Sequence, residues 1–238
     1  MLHDFKKLFG AKLAAKDGDI GHVRDFYFDD QSWTIRYVVA DTGSWLTGRQ
    51  VLLAPRAFGS HALGDAAAPG AILPVNLTRR QIEDSPPIDA HRPVSRQNEI
   101  EYFNYYGWPS YWPGDSLSFG AGVPIAGLRG DEVDRPPGHA QRDDVHLRSM
   151  KAVAGYRLHA TNGEIGEVRG FLVHDESWVI DELGVETGHW YAGKAIRVRT
   201  ANILRIGYDD SRIFVNLALE DLNKTEPGEA AHAHGRTL

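Results

Sequence analysis

Cysteine is absent from this chain of 238 residues, and its apolar stretches are short. The lack of cysteine excludes disulfide bonds, thiol catalysis and zinc sites with cysteine ligands. No apolar run approaches the roughly 20 residues that a membrane-spanning helix needs. The first nine residues are interrupted by charge, unlike the apolar core of a signal peptide. Together these features predict a cytoplasmic protein without membrane insertion.

An excess of basic residues is missing as well. The chain holds 26 Lys and Arg against 32 Asp and Glu, which gives a net charge of −6 at pH 7. Binding to phosphates requires a concentration of Lys and Arg, so the charge argues against nucleic acid as a partner. For the same reason it argues against adhesion to anionic lipid.

What the sequence does contain is an internal repeat. Residues 12–51 match residues 157–196 at 16 of 40 positions, without a gap and at a constant offset of 145. The matched pairs include Gly18/Gly163, Gly21/Gly166, Phe26/Phe171, Trp33/Trp178, Thr42/Thr187, Gly43/Gly188, Trp45/Trp190 and Gly48/Gly193. Such self-similarity indicates one structural unit that is used twice.

Each unit is predicted to consist of short strands separated by turns. In the first unit the expected strands are 13–15, 21–29, 33–41, 49–54 and 73–77. The turns between them are rich in Gly and Asp, and strand 33–41 is dense in β-branched and aromatic residues. An open sheet of this size would expose unpaired edges, which favours a closed barrel. The predicted fold class is therefore all-β, with two small β-barrels at residues 7–87 and 151–227.

Residues 88–150 lie outside the repeat and are interpreted as a linker. Within it, Ser95–Tyr106 has a capping serine and early glutamates, and Gly107 and Pro109 follow it, which predicts one short aromatic helix. Four aromatic residues form the candidate interaction surface: Tyr102, Tyr105, Tyr106 and Trp108. Such a run is expected to pack against the barrels or against another chain. The tail, residues 228–238, is expected to be disordered.

The repeated pattern resembles the PRC-barrel family. In the first unit the pattern reads Gly18-x-Ile20-Gly21-x-Val23-Arg24-x-Phe26, then Ser32-Trp33-x-Ile35, then Thr42-Gly43-x-Trp45-x-x-Gly48. The family fold is the small barrel of the photosynthetic reaction-centre H subunit and of the C-terminal domain of a ribosome maturation factor. The linker segment 93–114 is similar to linkers of soluble bacterial proteins that carry two such barrels. The resemblance implies a six-stranded barrel per unit, a role in protein assembly or stability, and no catalytic residue.

No set of residues has catalytic or metal-binding spacing. The eleven histidines include no His-x-x-x-His or His-Glu-x-x-His pair, and His232-x-His234 lies in the tail. Paired acids such as Asp29-Asp30 fall at predicted turns, where aspartate bonds its own backbone. No catalytic residue, cofactor or metal is therefore assigned, and the protein is predicted not to be an enzyme.

Two classes of function remain open. The favoured one is a non-catalytic module that binds another protein or complex, as an assembly or stress-related accessory linked to photosynthetic or electron-transport complexes. Homo-oligomerisation is left open. The alternative is a small-molecule binding protein or enzyme, with a site in the inter-barrel groove among Tyr102, Tyr105, Tyr106 and Trp108. A deep pocket with convergent polar groups would favour the alternative.

Overall fold

The computed structural model describes residues 1–46, 50–59, 72–86, 96–108, 146–188, 194–222 and 230–231. The chain forms two compact units, one of Met1–Glu83 with His146–Leu238 and the other of Asp84–Val145. Most of the first unit is strand, and the helices are short, which confirms the all-β prediction.

Both copies of the repeat consist mainly of strands. The first seven are β1 (Leu2–Asp4), β2 (Lys12–Ala15), β3 (Gly18–Asp29), β4 (Thr34–Asp41), β5 (Gln50–Leu53), β6 (Ile72–Pro74) and β7 (Leu147–Ser149). The next seven are β8 (Arg157–Ala160), β9 (Gly163–His174), β10 (Ile180–Thr187), β11 (Ala195–Arg199), β12 (Ile203–Gly207), β13 (Arg212–Val215) and β14 (Ala230–Ala231).

Within the described residues, the helices are all short except one. The α-helices are α1 (Arg79–Glu83), α2 (Arg96–Tyr106), α3 (Met150–Val153) and α4 (Leu219–Leu222), and the 3-10 helices are Phe5–Leu8, Pro55–Ala57 and Thr200–Asn202. Helix α1 begins with a capping box, because the Thr78 hydroxyl accepts from the Gln81 N–H and the Gln81 side chain accepts from the Thr78 N–H. Helix α2 confirms the predicted aromatic helix within one residue.

The strands of the first unit form two sheets of matching order. One sheet runs β5-β4-β3-β2-β6, and the other runs β12-β13-β8-β9-β10-β11-β14. In both sheets the central meander is antiparallel, and β2 and β8 each also take a parallel neighbour, β6 and β13. The repeat seen in the sequence is therefore a repeat of strand order.

Two glycines show why the repeat retains its pattern. Gly21 and Gly166 occupy equivalent positions and have φ of +126° and +158°. A Cβ at Gly21 would collide with the carbonyl oxygen of Asp41, and a Cβ at Gly166 would collide with that of Glu186. Only glycine allows the two strands to approach so closely.

Each sheet also receives one strand from the other repeat. Strand β1 precedes the first repeat but pairs with β9, in the register Leu2↔His174 to Asp4↔Leu172. Strand β7 precedes the second repeat but pairs with β3, in the register Tyr27↔Ser149 to Asp29↔Leu147. Every residue of one pairing maps onto the other through the same offset of 145. We call β1 and β7 the exchanged strands. Because this exchange is reciprocal, the two repeats are related by a pseudo-two-fold axis.

The pseudo-two-fold axis passes close to the turns that hold Trp33 and Trp178. The Ile35 N–H donates to the Trp178 carbonyl over 2.8 Å, and the Ile180 N–H donates to the Trp33 carbonyl over 2.7 Å. Both tryptophans adopt a left-handed backbone, with φ of 54° and 58°. Sequence reasoning placed Trp33 at the start of a strand, whereas it lies in the turn before β4.

Two further differences from the sequence-based interpretation concern its boundaries. Residues 146–150 were assigned to the linker, yet they contain β7 and belong to the compact unit of the repeats. Residues 228–238 were expected to be disordered, yet β14 pairs in parallel with Arg197 and Val198 of β11. The rest of that tail, with His232 and His234, lies outside the described residues.

Candidate functional site

The candidate interaction surface lies on helix α2, which ends in a Schellman motif. Gly107 has φ of +66°, and its N–H donates to the Asn104 carbonyl over 3.1 Å. The Trp108 N–H donates to the Phe103 carbonyl over 2.9 Å. The rings of Phe103 and Trp108 lie 6.1 Å apart, which is the apolar contact that accompanies this motif. The predicted glycine stop is confirmed, and Pro109 lies outside the described residues.

This turn folds Trp108 back onto the helix and creates an aromatic cluster, which we define as Tyr102, Phe103, Tyr105, Tyr106 and Trp108. Tyr106 and Trp108 stack with centroids 4.5 Å apart and an interplanar angle of 16°. Tyr106 also meets Tyr102 at 4.9 Å and Tyr105 at 4.8 Å, both edge to face. The four residues named from the sequence are therefore brought together.

The aromatic cluster has a buried part and an accessible part. Tyr102 and Phe103 are buried, Tyr106 and Trp108 are half-buried, and Tyr105 is 41% exposed. Glu101 is exposed one helical turn before Tyr105, on the same face of α2. Edge-to-face and stacked pairs hold the rings in one arrangement, so the surface presents rigid aromatic groups beside a carboxylate.

A second concentration of polar groups lies where β7 joins the first repeat. The Asp30 carboxylate is bound by His146 Nδ1 at 2.9 Å and by Arg148 Nε at 3.1 Å. The Tyr208 hydroxyl also donates to Asp30, and the Arg148 guanidinium lies 3.6 Å from the centre of the Tyr208 ring. Burial and the hydrogen bond to Asp30 raise the pKa of the Tyr208 hydroxyl, so it stays protonated as a donor.

The equivalent carboxylate of the second repeat, Asp175, binds the other exchanged strand. The amino group of Met1 lies 2.7 Å from Asp175 Oδ1, and His3 Nε2 lies 3.5 Å from Oδ2. The hydrogen bond from the Met1 amino group is the main reason why the pKa of Asp175 falls to about 2, and it outweighs the effect of burial. Asp30 and Asp175 therefore anchor the exchanged strands at equivalent places.

Sequence reasoning missed this role, because it explained Asp30 by local bonds within a turn. The local turn bonds come instead from Asp29, whose Oδ1 accepts from the Gln31 and Ser32 N–H groups. A signal for the exchange was present in the sequence. The matches Leu2/Leu147, Lys6/Lys151 and Gly10/Gly155 extend the repeat upstream at the same offset of 145.

The arginines shared by the repeats, Arg24 and Arg169, are held in ion pairs. Arg24 lies 3.7 Å from Asp41, and Arg169 lies 2.7 Å from Glu167 and 3.1 Å from Glu186. These arginines bridge neighbouring strands of one sheet. In the described part of the chain, no group of three or more His, Cys, Asp or Glu is arranged to hold a metal ion.

The tryptophans of the repeat occupy different environments. Trp178 is buried and packs against Phe5 and Phe58. Trp33 is half-buried and stacks on Phe28 at 5.4 Å, and Trp45 is half-buried under the Arg79 guanidinium. These contacts agree with the packing role inferred from the sequence, while Trp190 lies outside the described residues.

Comparison with known proteins does not assign the chain to a family. No family model matches the chain, and no curated protein matches it either. Among the residues that the structure describes, no helix has the length and apolar character needed to cross a membrane.

Proposed function

We propose that this chain is a non-catalytic protein with two PRC-like barrels that acts by binding another protein through its aromatic cluster. The stacked pair Tyr106 and Trp108, with the exposed Tyr105 beside it, carries this proposal. Tyrosine and tryptophan dominate protein interfaces because they bury a large area and lose little conformational entropy. Rings that already contact one another lose still less on binding.

The partner that fits this surface is a protein segment containing arginine. Glu101 and Tyr105 are both exposed and lie one helical turn apart on the same face of α2. A guanidinium can pair with the carboxylate and stack on the ring at once. The net charge of −6 adds long-range attraction for a basic partner.

The resemblance to the PRC-barrel family supports an accessory role in assembling or stabilising a larger complex. The setting that this resemblance implies is a stress-related complex, or one of photosynthesis or electron transport, and the composition of the chain favours the cytoplasm. The two repeats serve as a scaffold in this proposal, because their shared polar residues, such as Asp30 and Arg169, already hold strands together. Among the described residues, the polar side chains that the repeats share include no grouping of nucleophile, base and oxyanion donor.

The test is affinity purification of the full chain from its native host, run beside Tyr105→Ala and Trp108→Ala. The matched control is Leu204→Ser, because Leu204 is an exposed apolar residue of the first unit, on β12. We expect the same partner with the wild type and the control, and a loss of at least tenfold with either aromatic variant, as for an interface hot spot.

Equal recovery from all four proteins would contradict the proposal. A parallel screen of hydrolase and oxidoreductase substrates tests the alternative. Turnover that disappears on a single substitution in the cluster would establish an enzyme instead.

A further inference from the structure

A cavity of about 290 Å³ lies between the two repeats, bounded by the 3-10 helix Phe5–Leu8, by helix α3 and by strand β9. Three cations line it, Lys6, Lys151 and Arg169, and its apolar lining includes Phe9 and Phe171. No carboxylate lines it. We call it the lysine cavity.

The lysine cavity exists because the pseudo-two-fold symmetry is broken there. In the first repeat, Phe9 packs edge to face on Phe26, with the ring centres 5.4 Å apart. The residues equivalent to that pair are Ala154 and Phe171. The missing ring at Ala154 leaves Phe171 as a wall of the cavity.

A second truncation occurs at the same place. Gly170 lines the cavity, and its equivalent is Asp25, whose carboxylate accepts from the Ser149 hydroxyl and from the Lys151 N–H. On this side the carboxylate comes instead from Asp4, the equivalent of Ser149, which lies beside Gly170 and accepts from the Lys6 N–H over 2.9 Å. The group that the second repeat lacks is therefore the ring.

The fold does not require glycine at position 170. Its φ lies outside the left-handed region, and a Cβ would meet its nearest atom, Asp4 Oδ1, at the ordinary contact distance of 3.4 Å. A glycine inside a strand costs stability, and it often marks a place where another group approaches the backbone. The group that approaches Gly170 is the Asp4 side chain, at the edge of the cavity.

The three cations of the lysine cavity differ in the contacts that they make. Arg169 is held by Glu167 and Glu186. The Lys151 ammonium lies 5.4 Å from the centre of the Phe9 ring. The Lys6 ammonium is exposed and makes no ion pair within the part of the chain that the structure describes. Lys6 and Lys151 are equivalent residues of the two repeats, so one cation comes from each.

We propose that the lysine cavity binds a small aromatic anion, with its ring against the half-buried Phe9 and its negative group between Lys6 and Lys151. The volume is near the lower limit of ligand sites, about 300 Å³, which suits one ring or two fused rings. An apolar wall fixes the ring, and charge-assisted hydrogen bonds from the lysines select the anion. The ligand would contact both repeats at once. This site is separate from the aromatic cluster and does not depend on the function proposed for it.

The test is titration of the full chain with 2-naphthoate, followed by calorimetry, with the neutral 2-naphthalenemethanol as comparator. Lys6→Gln removes one cation, and Ala154→Phe restores the ring that the first repeat carries. The matched controls are Lys7→Gln and Ala152→Phe, which change exposed neighbours that do not line the cavity. Near-UV circular dichroism checks that each variant is folded.

We expect saturable binding of one naphthoate per chain and at least tenfold weaker binding of the neutral comparator. Lys6→Gln should weaken naphthoate binding about tenfold, as expected for the loss of one charge-assisted contact. Ala154→Phe should abolish binding, and both controls should bind like the wild type. If Ala154→Phe fails to fold, Lys151→Gln replaces it, with the same expected loss as Lys6→Gln.

Three results would overturn the proposal. The first is no saturable binding of naphthoate at millimolar concentration. The second is binding that Ala154→Phe leaves unchanged, because the ligand would then sit elsewhere. The third is an equal effect of Lys6→Gln and Lys7→Gln, because this would show only a general effect of net charge.

Discussion

At the scale of single residues, the tryptophans of the two turns show how the repeats depend on each other. Trp33 and Trp178 hold a left-handed backbone that costs a bulky residue about 1 to 2 kcal/mol. That conformation directs their carbonyls to the N–H groups of Ile180 and Ile35 in the opposite repeat. The cross-repeat bonds and the packing of the rings offset the strain.

The first prediction concerns these two side chains. Trp178→Ala should lower the free energy of unfolding by about 3 to 5 kcal/mol, because a buried large aromatic leaves a cavity. Trp33 is half-buried, so Trp33→Ala should cost less, about 1 to 3 kcal/mol. Urea unfolding of both variants measures the difference. A smaller loss for Trp178→Ala than for Trp33→Ala would refute this ranking of the two sites.

The second prediction concerns pH, and it sets Asp25 against Asp29. Burial raises the pKa of Asp25 above 3.8, although hydrogen bonds from Ser149, Phe26 and Lys151 partly oppose it. The folded state then holds the proton more tightly than the unfolded state, so the contribution of Asp25 to stability falls as pH rises above 3.8.

Asp29 behaves in the opposite way. Burial opposes its ionisation, but hydrogen bonds from Ser32 and Gln31 and the charge of Arg36 outweigh burial and lower its pKa below 3.8. Its contribution is complete above pH 3.8 and is lost as pH falls through the lower folded pKa.

The measurement is urea unfolding of Asp25→Asn and Asp29→Asn over the acid range. Relative to wild type, Asp25→Asn should gain stability as pH rises, and Asp29→Asn should lose it. Parallel pH profiles for the two variants would show that neither carboxyl has the shifted pKa assigned to it.

At the scale of elements, helix α2 owes its aromatic cluster to its C-terminal turn. The two bonds of the Schellman motif bring Trp108 back over the helix. Nothing lies within 4 Å of a Cβ built at Gly107, so only the backbone conformation demands glycine there.

The third prediction follows from that conformation. Gly107→Ala should destabilise the turn by about 1 to 2 kcal/mol, the cost of a left-handed backbone for an ordinary residue. Asparagine tolerates this conformation better, so Gly107→Asn is the matched variant with a smaller loss. Hydrogen exchange of the Gly107 and Trp108 amides measures the effect. Unchanged protection in Gly107→Ala would mean that the motif does not hold the cluster together.

At the scale of the whole molecule, the exchanged strands make the two repeats halves of one assembly. Strand β1 completes the sheet of the second repeat, and β7 completes that of the first. Asp30 anchors β7 through His146, and Asp175 anchors β1 through the amino group of Met1. A single repeat without its partner would leave the edges of β3 and β9 unpaired at those positions.

The fourth prediction is that the halves stay together without a covalent link. A specific protease site inserted after Gly120 would allow the folded chain to be cut between the repeats. We expect both fragments to elute together on size exclusion, because the exchanged strands and the cross-repeat bonds remain. Asp30→Ala in the cut protein should promote dissociation by weakening the anchor of β7. Separate elution of the two wild-type fragments would contradict the interlocked arrangement.

The sequence by itself determined the repeated unit, its main strands and its aromatic helix. These features follow from local chemistry: glycine and aspartate at turns, β-branched residues in β4, and Glu99 in the first turn of α2 with Gly107 after its end. The predicted capping residue, Ser95, lies outside the described residues. The grouping of Tyr102, Tyr105, Tyr106 and Trp108 was also predictable, because these residues are close in sequence and share one helix.

Only the tertiary structure decided which strand pairs with which repeat. A strand of three residues such as β1 or β7 has no periodicity of its own, and its hydrogen bonds are the same in either sheet. The choice depends on contacts between residues more than 100 positions apart, such as His146 with Asp30. The lysine cavity has the same origin. Ala154 and Gly170 are unremarkable in sequence, and they open a space only because folding brings them beside Phe171 and the two lysines.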